Sequence, residues 1–96
     1  MLKNNKKNKA KELIGKTIEI RSVDLNVRKF FKVESVGNVH YNGILDNWRL
    51  DDETKIYLCI IGRYTKISEG VEEDCGTKAL AYNAELLHHI TAITRS

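Results

Sequence analysis

From Gly15 onward the hydrophobic and polar positions fall into short alternating runs, which predict strands joined by polar turns. Ile18 and Ile20 alternate with Thr17, Glu19 and Arg21, as in a half-buried strand. Asp24-Leu25-Asn26 reads as a turn. Val27, Lys29, Phe31 and Val33 then share one strand face, with Arg28, Phe30, Lys32 and Glu34 on the other. Gly37-Asn38 predicts a two-residue hairpin turn, and Gly43 a bend or bulge inside the next strand. Trp48 and Leu50 mark that strand's end, and Asp51 to Thr54 a polar turn. Ile56 to Ile61 is an unbroken apolar run, the pattern of a central strand covered on both faces. Gly62 interrupts it, and Arg63 to Ile67 continues as exposed strand or bend. Ser68 to Thr77, with four acids and two glycines, predicts a solvated acidic loop, followed by a short strand from Lys78 to Tyr82. Asn83-Ala84-Glu85 suits the cap of a helical turn. His88 to Thr94 reads as a last strand, although Leu86, Leu87, Ile90 and Ile93 also fit a helix.

Before Gly15 the character differs. Met1 to Lys11 is Lys/Asn-rich and too polar for a core, so it predicts a mobile arm. A short helix fits from about Asn8 to Ile14, stopped by Gly15, and one so short must dock on something to persist. The expected organisation is a flexible cationic arm over 1–11 and one small domain over 12–96. Its fold class is all-β with a short N-terminal helix: five or six antiparallel strands closed as a small barrel.

Charge sharpens this division. The chain of 96 residues carries 16 Lys+Arg against 13 Asp+Glu, a formal net charge of +3. Lys3, Lys6, Lys7, Lys9 and Lys11 supply five positive charges before any acid occurs, which leaves the body slightly acidic. No segment approaches the roughly 20 apolar residues of a membrane span. No apolar run follows the lysines as in a secretory signal, so a soluble cytoplasmic protein is expected. Cys59 lies in the apolar run and Cys75 among acids, so both are expected reduced and non-catalytic.

Candidate chemistry is sparse. His40, His88 and His89 form no metal-ligand spacing, and no nucleophile elbow or phosphate loop is present. The chain is therefore read as not an enzyme, with no cofactor and no metal. Nucleic acid fits better: the arm lysines suit phosphates, and counterion release would drive binding. On the body, Arg21, Arg28, Lys29, Lys32, Arg49, Arg63 and Lys66 suggest a basic face among the aromatic rings of Phe30, Tyr41 and Tyr64, expected exposed for base stacking.

Leu13-Ile14-Gly15-Lys16 leading into Thr17-Ile18-Glu19-Ile20 resembles the junction of helix and first strand in Sm-like small barrels. Asn38, Tyr41, Asn42 and Leu45 match the spacing of the first Sm motif. Ile61-Gly62-Arg63 is similar to the second, with Ile61 in place of a basic residue. The resemblance spans roughly residues 13 to 63; Glu34 stands where that family favours an apolar side chain, and the C-terminal third lies outside it. It implies an SH3/Sm-like barrel, a nucleotide base facing Asn42 and touching Tyr41, and a ring oligomer. The expected function is RNA or single-stranded DNA binding through Lys3, Lys6, Lys7, Lys9, Lys11, Tyr41, Asn42, Arg63 and Tyr64. The alternative is a small protein-binding module or inhibitor, of the composition of phage and mobile-element accessory proteins. It would use the acidic loop and an exposed Trp48 or Tyr64, unless Trp48 caps the barrel end.

Overall fold

The computed structural model describes residues 5–45 and 55–95. Lys3, Trp48, Arg49, Leu50 and the turn expected over 51–54 lie outside the described residues. Ile18 and Ile20 are buried on one face of β1 (Lys16–Ile20), as their alternation requires. Asp24 closes the following turn: its carbonyl accepts the Val27 N–H at 3.1 Å and its Oδ1 the Asn26 N–H at 2.9 Å. The next strand, β2 (Val27–His40), turns Lys29, Phe31 and Val33 inward. Complete burial of a side chain such as Phe31 contributes about 1.5–3 kcal/mol.

β2 does not turn at Gly37-Asn38. It runs on through both residues, which pair with Cys59 and Leu58 of β3 (Ile56–Ser68). No strand is formed around Gly43 among the described residues; 41–45 is irregular. Glu34 is an extra residue in the ladder, between the pairs Val33–Gly62 and Ser35–Ile61, and makes a bulge that bends β2.

The acidic loop is also corrected. Glu69 and Gly70, both at positive φ (53° and 80°), form a two-residue hairpin turn, and β4 (Val71–Ala81) starts at once. Glu72, Glu73 and Asp74 sit on this strand, and two of them meet basic partners: Glu73 opposite Lys66, and Asp74 bonded to Arg63 at 2.7 Å. Asn83 caps α2 (Ala84–His89), its side chain accepting the Leu86 N–H at 3.0 Å. His88 and His89 thus belong to the helix, and β5 (Ile90–Arg95) begins after them.

All the pairings are antiparallel, in the order β4-β3-β2-β1-β5. β4 and β5 are the two edges of this open five-stranded sheet. The apolar run in β3 serves both faces. Ile60 and Leu58 join the main core, while Cys59, Tyr57 and Ile61 join a second cluster with Ala79 and Ala81. Lys6, Lys7, Lys9 and Lys11 fall on α1 (Asn5–Lys11), which docks through a completely buried Ala10, with Leu13 just beyond it. Gly15, at φ 87°, then reverses the chain into β1, donating its N–H to the Val33 carbonyl at 2.8 Å.

Candidate nucleic-acid interface

The described sheet cations expected on one basic face divide between two faces: Lys29 and Lys66 on the inner, Arg28, Lys32 and Arg63 on the outer. Inward-facing Lys29 is only 6% exposed and donates to the Ile44 carbonyl at 3.5 Å. Its cross-strand neighbour Lys66 points the same way, toward the concave side. On the outer face Arg28 grips Glu19 through Nε (3.0 Å) and Nη2 (2.9 Å), and its guanidinium lies 5.0 Å from the Phe30 ring centroid. Arg63 is held by Asp74. Two of the cations on this face are thus matched by acids, while Lys32, across the ladder from Arg63, is exposed beside them.

Those pairs set an acid limit on stability. The Arg28 bonds to Glu19 hold its carboxyl below the ordinary 4.5. The Gly76 N–H, with Arg63 adding to it, holds the Asp74 carboxyl below 3.8. A depressed carboxylate pKa stabilises the fold above the unfolded value and loses that contribution as pH falls toward the folded one. Thermal melts should thus be nearly level from about pH 7 to about pH 5 and drop below about pH 4.5, with Glu19→Gln showing a shallower drop. An equally steep drop in Glu19→Gln would remove Glu19 from this account.

The residues singled out in the sequence are dispersed. Tyr64, expected exposed, is 5% exposed and part of the core, because it faces inward opposite Phe31; its ring offers no face for stacking. Tyr41 is half-buried between the two clusters. Asn42 binds β4: its N–H donates to the Ala79 carbonyl at 3.1 Å, and its side-chain oxygen accepts the Ala79 N–H. Both polar groups of Ala79 point away from β3, so Asn42 covers that stretch of the β4 edge.

Lys6, Lys7, Lys9 and Lys11 are brought together on α1, with no acid among them. Lys6 and Lys9, one helical turn apart, line a groove of about 340 Å³ whose other side is Tyr82, Asn83, Ala84 and Leu87. Burial, and then the charge of Glu12, push the Tyr82 hydroxyl above its usual range, so it remains a neutral donor at pH 7. Leu87 is half exposed along the opposite wall. The sequence signalled half of this site, the Asn83 cap and the lysine spacing. That α1 and α2 meet across the end of β4 depends on long-range packing.

The molecule's two ends differ in chemistry. Ten residues back along β4 from the groove, the hairpin end carries Glu69, Glu72, Glu73 and Asp74. Val27–Ser68 pairing sets the β1–β2 turn alongside, with Leu25 95% exposed. The β4 acids thus lie at the far end of that strand from the α1 lysines, whereas Glu12 lies near Tyr82.

Among the described residues no group of His, Cys, Asp and Glu could hold a metal ion. His88 and His89 meet edge to face at 5.8 Å, and His89 Nε2 lies 4.0 Å from Glu85 Oε2. Both cysteines are free; burial pushes the Cys59 thiol above its usual range, which disfavours a nucleophilic thiolate. No described helix is long and apolar enough to cross a membrane. Comparison with protein families, characterised proteins and solved structures finds no match to this chain.

Proposed function

We propose that this chain is a non-catalytic protein that binds single-stranded nucleic acid in the groove between α1 and α2. The observation that carries the reading is the placement of Lys6 and Lys9 along one wall of a groove with a half-exposed Leu87 on the other. Phosphates would meet the lysines, and a base would lie against the apolar wall near Tyr82. Lys7 and Lys11 add cationic charge on the same short helix. A fixed helix suits this better than a loose tail, because less ordering entropy is lost on binding. The scaffold is proposed to be of small-barrel type. Support comes from the bulge that bends β2 and from Asn42, which carries the chain after β2 to the outer edge of β4.

The test is fluorescence anisotropy of labelled single-stranded oligonucleotides across a salt series. Four lysine contacts give a slope of log affinity against log salt of roughly −3 for a single strand. Replacing Lys6 and Lys9 by Gln should weaken binding about tenfold and reduce the slope by roughly 1.4. Absence of binding at low salt, or a slope that ignores the double variant, would remove this reading.

A further inference from the structure

We propose that two copies of this chain join through antiparallel pairing of their β5 strands, forming one continuous ten-stranded sheet about a two-fold axis at Ile93. The inference does not depend on the nucleic-acid reading. An open sheet has two edges, each with a row of unpaired backbone donors and acceptors, and proteins ordinarily blunt such edges with charge, bulges or cover.

β4 is blunted in all three ways. Asn42 occupies both backbone groups of Ala79. The ladder shifts register between Arg63 and Thr65, with the surplus residue on β4 and Gly76 there at φ 85°. Glu72, Glu73 and Asp74 charge the rest.

β5 lacks comparable protection. Its sequence Ile-Thr-Ala-Ile-Thr-Arg holds no acid, lysine, glycine or proline, and its irregularity lies at the start, opposite Glu19 and Ile20. The Arg21 N–H donates to the His89 carbonyl. Alternation along β1 then turns Glu19 and Thr17 toward β5, where they meet Ala92 and Thr94. The N–H and C=O of Ile93 therefore face outward. Its side chain lies on the core side opposite Ile18, yet is 53% exposed while Ile18 is completely buried. Among the described residues no strand pairs with β5 on that side.

A second copy fits that edge by charge and symmetry. With Ile93 on the axis, each Ile93 exchanges two backbone bonds with its counterpart, and the two side chains meet on one face. Thr91 falls opposite Arg95 of the other copy, so no like charges are opposed. An isologous contact of this kind closes at two subunits. Head-to-tail pairing of β5 with β4 would meet the Asn42 cover and the β4 bulge.

One short strand buries less than a standard interface, so association should be weak, with a dissociation constant of about 10–100 µM. Sedimentation of the full chain from about 5 to about 500 µM in about 0.5 M salt should show mass rising from monomer to dimer and no further. Ile93→Pro removes only an outward N–H and places proline where edge strands tolerate it, so it should weaken dimerisation at least about tenfold with the fold retained. Ile93→Lys, an inward-pointing edge charge, should do the same if the proline variant fails to fold. In the wild type, hydrogen exchange at the Ile93 amide should slow as concentration rises. A wild type monomeric throughout, species larger than dimers, or a dimer indifferent to a folded Ile93 variant would each overturn the proposal.

Discussion

Replacing Gly62 with alanine should destabilise the fold by about 3 kcal/mol or more, lowering Tm by roughly 12–24 °C in a domain of this size. The cause is steric. A Cβ at Gly62 would fall on the Lys32 carbonyl oxygen, 2.8 Å from the Lys32 carbonyl carbon and 3.1 Å from the Val33 Cα. All three are backbone atoms of β2, at the bulge made by Glu34, and they cannot swing aside as a flexible side-chain tip would. The bend of β2 and the absence of a side chain on β3 are thus one feature, since the strands approach only where glycine permits. Gly37→Ala is the matched control. Its Cβ would meet Ile61 Cδ1 at 3.6 Å, an ordinary contact, and alanine in a strand offsets up to about 1 kcal/mol of glycine's entropy cost. Thermal melts of the two variants should therefore diverge sharply. Equal Tm values would mean that β2 is not held against Gly62.

The same two glycines show how far the sequence could be read. Period-two alternation gave the inward faces of β1 and of the first half of β2, even with Lys29 among the inward residues, because alternation is local. Gly37-Asn38 has every local mark of a turn, yet it pairs with Cys59 and Leu58 inside a strand of 14 residues. Pairing along the β2–β3 ladder overrides turn preference at one dipeptide. The β4 acids misled in the same way. A cluster of Glu and Asp near glycines reads as solvated loop until Lys66 and Arg63 are known to lie across from it. That knowledge is non-local.

The candidate site was legible to the same extent. The lysine spacing that puts Lys6 and Lys9 one turn apart is written in the chain, whereas the groove wall of Tyr82, Asn83 and Leu87 exists only once α2 docks beside α1. Tyr64 looked like a surface ring because Arg63, Thr65 and Lys66 surround it in sequence. Strand alternation turns it into the core opposite Phe31.

Asn42→Ala separates a structural role from a binding role at one position. The Asn42 side-chain oxygen accepts the N–H of Ala79, a buried residue, and alanine would leave that donor without its acceptor. Loss of one partner of a buried hydrogen bond costs about 1–3 kcal/mol, so Tm should fall by roughly 4–24 °C. The backbone bond from Asn42 to the Ala79 carbonyl remains and limits the damage. Asn42→Asp keeps an acceptor oxygen at pH 7 and should recover most of the stability. If Asn42 acts only as this tie, both variants, assayed well below their melting temperatures, should bind single-stranded oligonucleotides within about twofold of wild type. The Sm-like resemblance implies the opposite, a base facing Asn42. It would give a binding loss of about tenfold or more in a folded Asn42→Ala protein, corresponding to about 1.4 kcal/mol. Stability and affinity measured on the same two variants decide between these roles, because only the tie predicts a falling Tm with unchanged binding.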